Sequence, residues 1–195
     1  MEQSRFDVQR ILIIIFSLAG MLIMSYLLYA HYAPTPEGGS FCDIGEGLSC
    51  DVVNKSAYSE VFGFPMAAAG VLYFALVLAL ALWRYSQATL MFTAFLLIVL
   101  LGPSLYLSIM SKTVLNNMCI LCETSKALMA AIAGIALYAA GFKNFGWNRA
   151  IVAVALAVAL AVALAFVTYF IHSWIVTDPF SYSGNIGFIE LFTNY

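Results

Sequence analysis

The chain has 195 residues, 64% of them hydrophobic and 9% charged, with a formal net charge of -2 and a mean hydropathy of +0.96. That composition excludes a soluble globular domain and places the chain in lipid. So few cations, with no interleaving of basic and aromatic residues, also exclude nucleic acid as a partner.

A hydrocarbon core about 30 Å thick takes roughly 20 apolar residues of helix. Five stretches meet that need, at about 11–32, 64–83, 88–110, 119–141 and 150–172. The first follows Arg5 and Arg10 as a signal peptide would, but its apolar core outruns the roughly 7–15 residues of a signal h-region and reads as a span. The third carries Gly102-Pro103 in its later half, where a kink is expected. The fifth is almost wholly Ala, Val and Leu, suited to lipid or to close helix contact. Backbone groups in lipid must be satisfied internally, so each run is expected to be helical. Residues 1–173 therefore read as one five-span membrane domain. In the tail over 174–195, Trp174, Phe180, Tyr182, Phe188, Phe192 and Tyr195 are expected to lie at the outer interface near the cysteine loop.

Arg5, Arg10, Arg84, Lys143 and Arg149 flank the spans on one side, which the positive-inside rule assigns to the cytoplasm. The other side receives the loop over 33–63, the turn before Cys119 and the tail. These segments hold only Lys55 and Lys112 as cations, against Glu37, Asp43, Glu46, Asp51, Glu60, Asp178 and Glu190. The expectation is a multi-pass inner-membrane protein with a cytoplasmic amino terminus and all four cysteines at the extracytoplasmic face.

Those cysteines carry the chemistry. Cys42 and Cys50 lie in the outer loop, and Cys119 and Cys122 form a C-x-x-C where the fourth span begins. A disulfide-permissive compartment allows either pair to close. An inert staple is the plain reading of the loop pair, but so short a loop constrains the unfolded chain weakly. A helix start lowers a cysteine pKa and favours the thiolate, the nucleophile of disulfide exchange. Cys119 is expected to be the more exposed member of its pair, with Cys122 buried one turn deeper. Lys126 continues the same face, where it either favours a thiolate or a quinol oxyanion, or snorkels and pairs with Glu123. A four-thiolate zinc site fits poorly, because structural sites use two closely spaced pairs; no metal is expected.

The segment CDIGEGLSCDVVNKSAYSEVFGFPMAAAG from Cys42 to Gly70, with CILC opening a later helix, resembles the vitamin K epoxide reductase family. The resemblance covers roughly the first four spans and rests on the loop pair, Ser56, Phe62-Gly63 and the Cys119–Cys122 motif. Disulfide bond protein B, similar in chemistry, carries its C-x-x-C in the first outer loop, the reverse of the order here. The resemblance implies an all-α integral membrane fold, a four-helix bundle around a quinone site, with a fifth transmembrane helix as in many bacterial members. It implies a thiol oxidoreductase that takes electrons from an extracytoplasmic thioredoxin-like protein, acting in trans, and reduces a membrane quinone, ubiquinone or menaquinone. By the same resemblance Cys42 exchanges with the partner, Cys50 relays to Cys119, and Cys122 faces the quinone.

Ser56 is a candidate for a hydrogen bond to a quinone oxygen or to the loop backbone; its plain alternative is a helix N-cap. Animal members carry a tyrosine where this chain has Lys126, so Lys126 is the candidate contact for the quinone ring. Phe92, Phe95, Tyr106, Met110 and Met118 are available to an apolar quinone pocket, none with an assigned role. A non-enzymatic membrane scaffold with two structural disulfides is the alternative function.

Overall fold

The computed structural model describes residues 2–35, 39–61, 63–83, 85–140 and 147–177. Phe62, Arg84, Lys143 and the tail aromatics Phe180, Tyr182, Phe188, Phe192 and Tyr195 lie outside the described residues, as do the side chains of Arg5 and Arg149.

Helix α1 spans Glu2–Tyr32, and a short α2, Cys50–Asn54, lies in the loop that follows. A 3₁₀ turn over Ala57–Ser59 leads into two-residue strands β1, Glu60–Val61, and β2, Phe64–Pro65, which pair antiparallel. Helices α3, Met66–Trp83, α4, Gln87–Thr113, α5, Ile120–Ala139, and α6, Trp147–Thr177, follow. Five of these, α1, α3, α4, α5 and α6, are long and apolar enough to cross a membrane. The chain is a multi-pass membrane protein, all-helical among the described residues apart from the small hairpin.

The elements differ from the apolar runs at their ends. Helix α1 starts at Glu2 because its polar first turns suit a helix as well as the lipid-facing residues do. Helix α3 starts after Pro65, since Phe64 and Pro65 pair with β1. Helix α4 runs unbroken through Pro103, and the Gly102 before it serves close packing. A Cβ built at Gly102 would overlap the backbone carbonyl of Ala161 on α6, so only glycine permits this approach of the two helices. Ala157 and Ala161 are buried along the same contact.

Helix α1 packs on α3 and α5, and α4 packs on α5 and α6. Ile13, Phe74, Leu97, Ile132 and Ala136 form the centre of the main apolar core. The four-helix bundle of α1, α3, α4 and α5 thus carries α6 against its α4 side.

Polar ties fix one end of the bundle. Arg10 Nε and NH2 donate to the carbonyls of Ala81 and Leu82 at 2.9 and 2.8 Å, satisfying acceptors that the end of α3 leaves free. Gln87 Nε2 donates to Ala140 O at 2.7 Å, joining the start of α4 to the end of α5. The start of α1 therefore shares one end with the α3–α4 turn and the end of α5. Antiparallel packing then puts the 33–63 loop, the start of α3 and the start of α5 together at the opposite end.

Candidate redox site

Ser49 caps α2, its side chain accepting the Val52 N–H at 3.1 Å, so Cys50 opens a helix. Cys42 and Cys50 are disulfide-bonded, with Cα atoms 5.8 Å apart. Between them the chain turns through Gly47 at φ +83°, a left-handed conformation that favours glycine. This turn presents the Gly47 carbonyl to the Met118 N–H at 2.9 Å, and Leu48 forms a parallel bridge with Met118. The loop carrying one cysteine pair is thereby docked beside the residue that precedes the other.

Cys119 is the N-cap of α5: its backbone is extended and its sulfur accepts the Cys122 N–H at 3.2 Å. The hydrogen-bonded Cys122 thiol is the largest influence on Cys119 and pulls its pKa below the ordinary thiol value. Burial opposes that pull; the N–H groups of Cys122 and Leu121 and the Lys126 charge support it. Cys119 and Cys122 are free thiols. All four cysteines meet in one apolar cluster with Leu27 and Ala67.

The exposure order within the C-x-x-C is the reverse of the expected one. Cys119 is 1% exposed, as is Cys42, and Cys50 is 2% exposed. Cys122 is only partly buried, because its face opens into a cavity among the helices. The cause is the docked loop, which covers the helix start that would otherwise be the accessible point. Cys42 is likewise sealed from solvent within the docked loop.

The cavity holds about 380 Å³, within the range of roughly 300–1,000 Å³ usual for small-molecule sites. Its walls come from every spanning helix, with Met24 and Leu27 of α1, Gly70 and Tyr73 of α3, Leu100 and Leu107 of α4, Met129 of α5 and Leu164 of α6. Cys119 and Cys122 lie on its surface. None of Phe92, Phe95, Tyr106, Met110 or Met118 lines it.

Lys126 and Glu123 also line the cavity. Lys126 Nζ bonds Glu123 Oε1 at 2.7 Å and contacts Ser108 Oγ, which in turn donates to Glu123 Oε1 at 2.7 Å. The lysine thus pairs with Glu123, as snorkelling would have it, and still borders the cavity near Cys122. Ser56 lines the cavity too, but its hydroxyl donates to Val53 O at 2.7 Å. It sits at the N-cap of the 3₁₀ turn without a side-chain capping bond. Its hydrogen therefore goes to the loop backbone, and a quinone oxygen, itself an acceptor, finds no donor there in this state.

Several site residues escaped the sequence reading. Asp43 and Asp51 each follow a loop cysteine, and the Ser40 N–H forks to both carboxylates at 3.3 and 3.1 Å. Asp51 N also donates to Asp43 at 3.4 Å. Burial pushes the Asp43 carboxyl up, but hydrogen bonds from Ser49, Asp51 and Ser40 outweigh it and hold the group below the usual range. The signal for this lock was present as the repeated Cys-Asp dipeptide. Ser108 and Asn54 had no comparable signal. Among the described residues, no group of three or more His, Cys, Asp or Glu comes together to hold a metal.

Compared with known protein families, residues 11–137 match the model of the vitamin K epoxide reductase family. The matched segment takes in the loop pair, the C-x-x-C and the first four spanning helices, and it ends before α6.

Proposed function

The chain belongs to the vitamin K epoxide reductase family, a membrane thiol–disulfide oxidoreductase family, and from that premise we propose that it oxidises an extracytoplasmic thioredoxin-like protein and delivers the electrons to a membrane quinone. One observation carries the proposal: the loop pair is closed while the inner pair is open, and the inner pair borders an apolar cavity. The bundle end with the cysteines is assigned to the extracytoplasmic face of the inner membrane from the cation distribution.

A thiolate of the partner attacks the Cys42–Cys50 disulfide at Cys42, forming a mixed disulfide and releasing Cys50 as a thiol. The partner's second thiol then resolves the bond, leaving the partner oxidised and Cys42 and Cys50 reduced. The Cys50 thiolate next attacks an oxidised Cys119–Cys122 pair at Cys119, and Cys42 displaces Cys119 from the resulting bond. This re-forms the loop disulfide and leaves two thiols at the head of α5. The disulfide arrangement of the structure corresponds to that last state.

The cavity suits a quinone ring in shape and chemistry, being largely apolar with a few polar groups near Cys122. Bound there, a quinone would take up the two electrons and two protons given up as Cys119 and Cys122 close. The Cys122 thiol, hydrogen-bonded to Cys119, favours the nucleophilic thiolate form of Cys119, and the N-cap N–H adds to that. Lys126, held by Glu123 and Ser108, supplies a positive charge and N–H donors to a ring oxygen.

The test is turnover by the purified protein in lipid with a reduced thioredoxin-like protein and a short-chain quinone. Loss of quinone absorbance matched one to one by partner disulfides is expected. A scaffold with structural disulfides would oxidise no thiols at a catalytic rate.

A further inference from the structure

The roof of the cavity is the stretch from Val53 to Glu60, of which Val53, Asn54, Ser56, Tyr58 and Ser59 line the cavity directly. It joins the end of α2, the 3₁₀ turn and the start of β1, and side chains of its own and of other elements hold it. Asn54 Nδ2 donates to Leu27 O at 2.7 Å, and His31 reaches Asn54 O at 2.7 Å and Glu60 Oε1 at 3.0 Å. Lys55 Nζ donates to Ala33 O at 2.7 Å and to Thr35 Oγ1 at 2.8 Å, and α6 adds a further tie. His172 Nε2 lies 3.1 Å from Glu60 O, a bond across 112 residues of sequence. A carbonyl only accepts, so Nε2 carries the hydrogen. The imidazole is 1% exposed, stacks on Tyr106 at 5.8 Å and meets Tyr58 edge-on at 5.5 Å. One turn earlier on the same helix, Thr168 lines the cavity.

We propose that His172 is a positioning residue for the cavity: by holding the Glu60 carbonyl and the Tyr58 ring it sets the roof against a bound ring, so that α6, outside the family-matched segment, tunes quinone affinity. The inference rests on the reading that the cavity takes a quinone. His172 is not a member of the cysteine cluster and itself lies outside the cavity lining. It therefore acts on how the ring is held and leaves the exchange between cysteine pairs alone.

The experiment compares His172→Phe, His172→Asn and His172→Gln in lipid nanodiscs, with dithiothreitol as dithiol and a short-chain benzoquinone as acceptor. Phe keeps the ring and loses the donor. Asn keeps polarity but places its amide too near the backbone. Gln carries an N–H where Nε2 stood. The KM for quinone is expected to rise about tenfold in the Phe and Asn variants, the scale of one lost hydrogen bond, with the KM for dithiothreitol unchanged and with Gln near wild type. Amide exchange over residues 53–60 of the quinone-free protein is expected to quicken in Phe and Asn and to return in Gln. If Phe does not fold, the contrast of Asn with Gln decides the matter alone. A saturable wild type with equal quinone KM in every variant, or with both KM values moving together, overturns the inference and spares the quinone reading. A wild type that reduces no quinone overturns both.

Discussion

The backbone N–H of Met118 donates to the carbonyl of Gly47 at 2.9 Å, and this bond ties the loop of one cysteine pair to the residue just before the other. Both pairs consequently share one apolar cluster. The proposed exchange between them would then need a local parting of the loop and no long excursion.

The relay order is tested in Cys122→Ser, which lacks the thiol that completes the inner disulfide. A bond between Cys50 and Cys119 should accumulate and dominate non-reducing peptide maps. A dominant bond between Cys42 and Cys119 would mean that the two loop cysteines exchange roles.

Cys119 gives a pH signature. Its folded pKa is depressed, so the thiolate persists to lower pH than in an ordinary cysteine and is lost as pH falls through the depressed value. Alkylation of Cys119 by a small uncharged reagent should reach half its maximal rate below the usual thiol midpoint of about 8.5. Because the Cys122 thiol is the first cause of the shift, Cys122→Ala should move the midpoint upward. An unmoved midpoint would assign the effect to the helix start instead.

Lys126→Met removes the cation beside the cavity and leaves Glu123 with the Ser108 hydroxyl but without its ion-pair partner. Stopped-flow measurement of inner-pair oxidation by quinone should show a loss of about tenfold, equivalent to ~1.4 kcal/mol of barrier. Exchange between a thioredoxin-like protein and the loop pair should stay at the wild-type rate. A loss in both steps would mark Lys126 as structural.

Gly102→Val drives a side chain into the Ala161 carbonyl and should displace α6. A destabilisation of about 1–3 kcal/mol is expected from such overpacking, visible as a lower thermal transition in detergent. The variant should also raise the quinone KM, as loss of the His172 tie does. Unchanged stability would show that α6 adjusts freely along α4.

Orientation is open to direct labelling. In spheroplasts treated with a permeant reductant, a membrane-impermeant maleimide should modify Cys42, and without reductant it should not, because Cys42 is both disulfide-bonded and 1% exposed. Labelling that needs lysis of the inner membrane would invert the topology.

The spans were legible because a lipid-crossing helix writes itself as a long apolar run, and the cysteines because their spacing is rare. Element ends were less so: Phe64 and Pro65 belong to the apolar run yet pair with β1. Exposure was misread for Cys119, since what covers it is a loop some 70 residues away in sequence. The Ser108, Glu123 and Lys126 group joins two helices across an unreadable register. His172 carried no signal, because a histidine near a span end looks the same whether it faces water or holds a distant carbonyl.

Arg10 grips the last carbonyls of α3 at the end of the bundle away from the cysteines. Hydrogen bonds from a charged fork to two backbone acceptors are of the stronger kind, and two made by one side chain fix direction as well as distance. One side chain of α1 therefore fixes the register of α3 against it at the end of the bundle away from the cysteines. Faster amide exchange at the end of α3 in Arg10→Ala would be the trace of that pin.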